Sequence, residues 1–314
     1  MRGMRRYIIR RVLASVPMLV GVTFLAFVLI SIIPADPAEV ALRVNEIIPT
    51  PELIEVQRKA LGLDRPFLER YAVWLYKAVQ LDLGFSYTNH HRAVAEEIAR
   101  CLPATLTLAA ASLLFTLIIS LPLAVLSAVW RGSIFDTVVR AVVFFGTAMP
   151  NYWAAFILIW VFGIHFDLLP TGGKAGWQSY LLPAFTLSLT YISTYVRLVR
   201  STMLQTMQEA FVLYARARGL SRRRIILRHV FKNSLQSSIT ALGMSIPQLI
   251  AGTVVVESIF AWPGIGRLCI SAIFNRDYPI IQAYVLMMGV LFIMFNLIVD
   301  IINAWIDPRQ RAEG

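Results

Sequence analysis

The sequence predicts an all-α integral membrane protein with six transmembrane helices, and three observations support this fold class. Hydrophobic residues make up 58% of the 314-residue chain, and the mean hydropathy is +0.67, more than a soluble domain of this size needs. Several apolar runs reach the roughly 20 residues that cross a hydrocarbon core of about 30 Å. A backbone within a bilayer must satisfy its own hydrogen bonds, which favours helices for these runs.

Polar connections separate the six predicted spans from one another. The apolar run after Arg11 is too long for the core of a signal peptide and lacks a small-x-small cleavage site, so we interpret it as a retained first span. The predicted spans lie near residues 12–33, 104–128, 140–165, 180–199, 236–257 and 281–305.

The distribution of lysine and arginine predicts the orientation. If successive connections alternate between the two sides, one side holds 18 basic and 5 acidic residues, and the other holds 11 basic and 13 acidic residues. Lysine and arginine concentrate in short cytoplasmic segments, so the basic side is expected to be cytoplasmic, with both termini inside. The formal net charge of +11 therefore reflects topology, and we expect no nucleic-acid partner.

This topology divides the chain into four predicted parts. Residues 1–33 form a cytoplasmic arm with the first transmembrane helix, and residues 34–93 form an extracytoplasmic connection. Residues 94–305 form the membrane core, and residues 306–314 form a cytoplasmic tail.

The long extracytoplasmic connection contains two predicted amphipathic helices. In the first, Thr50 is suited to cap the helix, Pro51 to occupy its first position and Gly62 to end it. Residues 65–84 predict the second helix, with one apolar side. That side carries Phe67, Tyr71, Trp74, Leu75 and Ala78. We expect both helices to lie at the membrane interface or to form a small cap.

Residues 209–235 form a charged, amphipathic insert between the fourth and fifth predicted spans. The insert is too polar to cross a bilayer, and Glu209 is its only acid among many arginines. Gly219 is suited to end a first helix in the left-handed conformation, and Ser221 to begin a second. The first helix has an apolar face at helical spacing, formed by Ala210, Leu213, Tyr214 and Ala217. Such a segment either docks on a cytoplasmic partner or lies on the inner leaflet with its arginines at lipid phosphates.

The insert resembles the signature loop of a known family of transport proteins. Glu209-Ala210, followed ten residues after Glu209 by Gly219, is similar to the cytoplasmic loop of permease subunits of ATP-binding-cassette importers. The stretches YARARGLSRRRIILRHVFKNSL, RRYIIRRVLASVPMLVGVTFLAF and GTVVVESIFAWPGIGRLCISAIFNRDYPIIQAYVL resemble the peptide/nickel branch of that family. One departure is that residues 233–237, NSLQS, lack the Leu-Pro pair that the family often has there.

The resemblance implies a type I importer permease fold in the inner membrane of a bacterium. The implied partners are two ATPase subunits, a second homologous permease and an extracytoplasmic substrate-binding protein. The likeness to nickel permeases makes nickel ion or a nickel chelate the expected cargo, with di- and oligopeptides as the alternative. The resemblance assigns the ATPase-coupling helix to Glu209, Ala210, Leu213, Tyr214, Ala217 and Gly219.

The chain lacks sequence motifs for chemistry of its own. The string closest to a P-loop, Gly172-Gly173-Lys174-Ala175, lacks the hydroxyl residue that binds Mg²⁺. No HExxH or GxSxG is present, which argues against an intramembrane enzyme. We therefore expect no catalytic residue and no cofactor, and energy supplied by a separate subunit. A standalone channel or proton-coupled carrier is the alternative class, and it would have no use for the coupling loop.

Polar residues recur at helical spacing on the last predicted span. Asn296, Asp300 and Asn303 fall on one face, and polar groups inside a bilayer normally face a cavity or a partner helix. They either line the translocation path or form hydrogen bonds between helices.

Histidines and cysteines give weaker signals. His90, His91 and His165 are of a type that binds nickel, but adjacent imidazoles diverge and no third ligand is near in sequence, so we predict no metal site. Cys101 and Cys269 both fall on the predicted outer side, where a disulfide is permitted.

Residues 262–267, WPGIGR, predict a turn after the fifth span, because a proline and two glycines interrupt the apolar pattern. The resemblance implies a re-entrant or gate-forming segment that contacts the binding protein. The alternative is a simple turn with an interfacial tryptophan anchor.

Overall fold

The computed structural model describes residues 2–32, 36–88 and 92–306, and within them the side chains of residues 10–32, 36–88, 92–235 and 238–302. The regular elements in these ranges are helices, and one isolated bridge pairs Phe85 with Ala93. The α-helices are α1 (Arg2–Ile32), α2 (Pro37–Val44), α3 (Pro51–Ala60), α4 (Phe67–Val79), α5 (Val94–Val129), α6 (Ile134–Ala148), α7 (Asn151–Leu158), α8 (Leu181–Thr206), α9 (Ala210–Ala217), α10 (Arg222–Arg224), α11 (Phe231–Ile259), α12 (Ile265–Asn275) and α13 (Tyr278–Ile306). Two π-helical segments, Ile159–His165 and Ile225–Val230, and a 3-10 turn, Trp177–Tyr180, complete the set.

Four helices in the described ranges are long and apolar enough to cross a membrane. Their apolar stretches are Arg10–Ile32, Val94–Val129, Ser238–Ile259 and Tyr278–Ile302. They coincide with the first, second, fifth and sixth predicted spans. The count becomes five if the bent pair of α6 with α7 and its π-helical continuation forms a single span.

The third predicted span is broken rather than continuous. A bend of 108° separates Ile134–Ala148 from Asn151–His165. Met149, before Pro150, adopts an extended conformation (φ −81°, ψ 124°). A residue that precedes proline is disfavoured in the helical region, and proline supplies no N–H to the helix, so the helix ends there. The expectation of one straight helix over 140–165 is corrected on this point.

The fourth predicted span lies in α8, which has 26 residues but is not apolar enough to count as a membrane span by itself. Thr186, Ser188 and Ser193 are buried in it, and it also contains Arg197 and Arg200. Helix α8 packs against α6, α7 and α11. The helix is thus surrounded by protein, which explains why its sequence is less apolar than that of a lipid-facing span.

The chain divides into two compact units. The first contains the described parts of 1–105 and 263–297, and the second those of 106–262 and 298–306. In the second unit, α5, α6, α8 and α9 and the π-helical segment after α10 share one core. Its buried members are Ala124, Ala128, Val139, Ile192, Val196, Val199, Met203, Val212, Ala215, Ile225 and Val230.

In the first unit, the predicted amphipathic helices form close to their expected bounds. The Thr50 hydroxyl accepts a hydrogen bond from the Leu53 N–H at 3.4 Å, and Gly62 has φ +66° just after α3. No residue of α3 is buried, and its apolar residues Leu53 and Val56 are exposed among the described residues. The predicted apolar side of α4 is instead packed, and it holds the buried residues Tyr71 and Ala78.

Helix α4 is attached to α1 by an aromatic cluster. The rings of Phe24 and Phe27 lie 5.2 to 5.9 Å from those of Phe67 and Tyr71. The Tyr71 hydroxyl donates to the Val20 carbonyl and lies 2.9 Å from the Thr23 hydroxyl. The cysteines of this unit, Cys101 and Cys269, are buried and are not joined by a disulfide.

Candidate functional site

The predicted first helix of the insert is present as α9, and a sharp turn follows it. Glu209 occupies the N-cap position in an extended conformation (φ −67°, ψ 148°). Gly219 has φ +76°, a conformation that favours glycine. The Gly219 N–H donates to the Arg216 carbonyl at 2.9 Å, and the Leu220 N–H to the Ala215 carbonyl at 3.2 Å. These two bonds form a Schellman motif, which confirms the predicted role of Gly219 in ending the helix.

The two faces of α9 have opposite environments. Val212 is 2% exposed, and with Ala215 it belongs to the core shared with α5, α6 and α8. The predicted apolar face of Ala210, Leu213, Tyr214 and Ala217 is exposed. Leu213 and Tyr214 have 70% and 71% of their surface exposed, so a leucine and a tyrosine project together from a helix that is anchored on its other side.

Sequence reasoning did not single out the anchoring residues. The spacing of Ala210, Leu213, Tyr214 and Ala217 indicated an apolar stripe, but Val212 and Ala215 lie between these positions. A signal was present, because Phe211, Val212 and Ala215 form a second apolar stripe with helical spacing. The helix is therefore apolar on both sides, which is unusual for a surface helix that has no partner.

The basic residues after α9 flank the exposed face. Arg216, Arg218 and residues 222–224 are exposed. The Arg222 guanidinium donates to the Val129 carbonyl at the end of α5 at 3.4 Å. Ser221 occupies the N-cap position of α10 as predicted, although its side chain forms no capping hydrogen bond.

A buried ionic network that the sequence did not reveal lies in the same unit as α9. Asp136, 1% exposed, accepts hydrogen bonds from Arg200 Nε and Nη2, each at 2.8 Å. The Ser127 hydroxyl and the Gly132 N–H also donate to its carboxylate. The carboxylate thus joins α5, the α5–α6 turn and α8. Nothing in the local sequence around Asp136 marks it as a buried charge.

The candidate path residues lie on α13. Asn296 and Asp300 are half-buried, and Asn303 belongs to the same helix, although its side chain is outside the described set. The structure does not decide between path lining and interhelical bonding for these three residues.

The segment after α11 combines a buried tryptophan with a short apolar helix. Trp262 is fully buried, its ring lies 4.5 Å from that of Tyr180, and Lys174 Nζ lies 5.7 Å from its centroid. The Gly173 N–H donates to the Phe260 carbonyl at 2.8 Å. Within the other unit, α12 has 11 residues, too few to cross a membrane.

The histidine candidates form no cluster in the described chain. His90 and His91 lie outside the described residues. His165 stacks on Trp160 with ring centroids 5.6 Å apart. No group of three His, Cys, Asp or Glu residues that could hold a metal ion occurs in the described ranges.

Two protein-family models match the chain, one over its N-terminal third and one over the remainder. The "Binding-protein-dependent transport system inner membrane component" model matches residues 120–312, and the N-terminal model of the same transport systems matches residues 4–109. The chain belongs to this permease family. The resemblance noted from the insert is confirmed, and the protein is a permease of an ABC importer in the inner membrane.

Curated relatives of this permease extend over the whole chain. The metal-staphylopine import system permease CntB of Staphylococcus aureus is 41% identical over 98% of this chain and 99% of its own length. The oligopeptide permease AppB of Bacillus subtilis is 37% identical, and the glutathione permease GsiC of Escherichia coli K12 is 34% identical, with the same coverage.

A solved structure shares the fold of this permease. An inward-facing form of the MetNI methionine ABC transporter has a chain that matches with a TM-score of 0.57 and 17% identity. The match covers 67% of this chain and 96% of that one. At this identity the likeness establishes the type I importer fold and no substrate.

Proposed function

We propose that this permease moves nickel, carried as a small-molecule chelate, across the cytoplasmic membrane. The observation that carries the proposal is the 41% identity, over nearly all of both chains, to a permease named for import of a metal bound to staphylopine. A chelate supplies its own metal ligands, so transport of this kind needs no cluster of protein ligands along the path.

Peptide import is the second candidate. AppB and GsiC, named for oligopeptide and glutathione transport, are 37% and 34% identical over the same 98% of the chain. A metal chelate built from amino-acid units and a short peptide have similar size and polarity, so related permeases are suited to either cargo.

We further propose that α9 is the coupling helix and that an ATPase subunit of the importer covers its exposed face. Leu213 and Tyr214 are largely exposed, while Val212 on the opposite face is buried. An exposed tyrosine flanked by arginines has the composition of an interface hot spot. The remaining proposed partners are a second ATPase, a homologous permease and an external binding protein, with both termini of this chain cytoplasmic.

In this mechanism, ATP-driven closure of the ATPase subunits displaces α9. The helix is short and its Gly219 turn is closed by two hydrogen bonds, so it moves as one piece. Its buried face packs on α5, α6 and α8, which carry the displacement into the membrane helices. ATP and substrate then bias the same equilibrium between inward-open and outward-open states.

The substrate is tested by uptake of radiolabelled nickel in cells with and without the gene. Nickel is supplied alone, with histidine and with a stronger chelator, and a labelled dipeptide is measured in parallel. We expect chelator-dependent nickel uptake to be lost without the gene while dipeptide uptake is unchanged. Loss of dipeptide uptake alone, or no change in either, would overturn the metal-chelate proposal.

Coupling is tested by Gly219→Pro and Glu209→Lys, with Glu52→Lys as an exposed charge-reversal control. Proline requires φ near −65° and cannot adopt the +76° of Gly219. We expect both test variants to insert normally and to lose uptake, and the control to transport normally. The channel alternative is tested by disabling ATP hydrolysis in the ATPase subunits, since persistent uptake would favour a channel or carrier.

A further inference from the structure

Helix α4 is attached to α1 within the apolar stretch of that long helix. The Tyr71 hydroxyl donates to the Val20 carbonyl and lies 2.9 Å from the Thr23 hydroxyl. The Phe27 ring lies 5.2 Å from that of Phe67 and 5.5 Å from that of Tyr71. Among the described side chains of α1, Thr23 and Phe27 are the two that are buried. The contact with α4 therefore accounts for the burial seen on α1.

The position of this contact along α1 indicates its depth in the bilayer. The apolar stretch of α1 begins at Arg10. At about 1.5 Å per residue, Val20 lies about 15 Å and Phe27 about 25 Å further along the helix. A hydrocarbon core is about 30 Å thick, so the contact falls in its far half, which is the outer leaflet in the proposed orientation. Helix α4 is thus attached at the level of the acyl chains.

A second apolar stripe on α4 is left uncovered by the described residues. Its members recur at a spacing of three or four residues and carry no charge: Leu68, Ala72, Tyr76 and Val79. The exposed fractions of Leu68, Tyr76 and Val79 are 67%, 69% and 79%. This stripe is distinct from the predicted apolar side of α4, which packs on α1. An exposed apolar face of this kind marks a surface that contacts lipid or another protein.

The charged residues of α4 lie on a third side of the helix. The side chains of Glu69 and Lys77 are 51% and 58% exposed and form ion pairs with Arg65 and Asp82. A cavity of about 960 Å³ lies on this side, and its described lining includes Arg70 and Lys77 but no member of the uncovered stripe. A helix at a membrane surface has this division, with charged residues in water and apolar residues among the acyl chains.

We propose that α4 is an interfacial membrane helix whose uncovered stripe lies in the acyl chains of the outer leaflet. The helix that holds it in place is itself lipid-facing, since only 11% of the apolar window of α1 is buried. Lipid is therefore the medium that continues from α1 to the stripe. Tyr76 belongs to a residue type that collects at the membrane boundary. The long connection after α1 is in this way tied to the bilayer at a second point.

The test measures which medium surrounds each side of α4. The full-length permease is assembled with its partner subunits in phospholipid vesicles, and nitroxide labels are attached to single introduced cysteines. The test variants are Leu68→Cys, Tyr76→Cys and Val79→Cys. The matched controls, on the charged side of the same helix, are Glu69→Cys and Lys77→Cys. All five side chains are exposed, and the complex without an introduced cysteine gives the background labelling.

Electron paramagnetic resonance then compares collisions of each label with oxygen, which concentrates in hydrocarbon, and with chromium oxalate, which stays in water. We expect the ratio of oxygen to chromium collisions to be severalfold higher at the three test positions than at the two controls. Equal ratios in the two sets would mean that water surrounds the stripe and would overturn the proposal. Few collisions with either reagent at the test positions would mean that a protein subunit covers the stripe, which also overturns it. The measurement uses no cargo, so its result is independent of the nickel proposal.

Discussion

Helices α4 and α9 are both short and amphipathic, but among the described residues the predicted apolar face of α4 is covered and that of α9 is exposed. In α4, Tyr71 and Ala78 are buried, with Phe24 and Phe27 of α1 packed against the aromatic side. In α9, Leu213 and Tyr214 are exposed, and Val212 and Ala215 on the opposite side pack into the core of the second unit. Apolar spacing therefore locates a helix and its apolar stripe. Whether other residues of the chain cover that stripe distinguishes a structural face from a candidate interaction face.

The first prediction concerns the buried network of Asp136 and Arg200, which lies in the same unit as α9. Arg200→Met leaves the Asp136 carboxylate buried without its main cation, and we expect a loss of about 3 to 5 kcal/mol in the free energy of unfolding. Thermal and denaturant unfolding of the purified complex measures it. Helix α4, in the other unit, should keep its fluorescence and protease protection until the whole chain unfolds.

Arg140→Met is the matched control for this prediction. Arg140 also approaches Asp136, at 3.7 Å, but its side chain is 56% exposed, and we expect a change below about 1 kcal/mol. Asp136→Leu combined with Arg200→Met should recover much of the stability, because no uncompensated charge remains. An equal loss from the two arginine variants would contradict a specific role for Arg200.

The second prediction separates the two faces of α9. Val212→Ala removes buried methyl groups from the core of the second unit, and we expect a loss of about 2 kcal/mol. Leu213→Ala with Tyr214→Ala changes an exposed face and should alter stability by less than about 0.5 kcal/mol per site. Uptake and transport-coupled ATP hydrolysis should fall more in the Leu213→Ala, Tyr214→Ala variant than in Val212→Ala, which is the reverse of the order for stability. A stability loss at Leu213 and Tyr214 as large as that at Val212 would remove the distinction between the faces.

The sequence predicted local features well where a single physical rule decides them. Thr50 and Gly62 bound α3 as expected, and Gly219 ends α9 in the left-handed conformation. Four apolar runs became long helices because each alone meets the length and polarity requirement of a bilayer. The family was recognisable for a similar reason, since residues 209–219, which resemble its signature loop, are contiguous in sequence.

Features that depend on pairing between distant segments were not predictable in the same way. The Asp136–Arg200 pair joins residues 64 positions apart, and neither residue has a local signature. The bend at Met149-Pro150 was visible as a proline, but prolines also occur inside continuous helices here, as Pro17 does in α1. Helix α8 was predicted as an ordinary membrane span. Its polar residues are acceptable because α6, α7 and α11 pack against it, and the local sequence does not show that packing.

The third prediction concerns the turn that sets the direction of α9. Gly219 has φ +76° and open space around the position of a Cβ atom, so Gly219→Ala meets only backbone strain, of about 1 to 2 kcal/mol. Gly219→Asn should cost less, because asparagine tolerates the left-handed region. Gly176→Ala is the control, since Gly176 is extended, with φ −175°. If Gly219→Ala lowers the free energy of unfolding no more than Gly219→Asn does, this account of the turn is contradicted.

The fourth prediction returns to α4 and carries the smallest effect. Tyr71→Phe removes a hydroxyl that bonds to the Val20 carbonyl and the Thr23 hydroxyl, and we expect a loss of about 1 kcal/mol. Tyr76→Phe on the same helix changes an exposed ring and should be neutral. If α4 is only a covered structural helix, uptake in both variants should follow the amount of folded protein. A drop in uptake for Tyr71→Phe at unchanged stability would mean that the packed face of α4 takes part in the conformational change, as is proposed for the exposed face of α9.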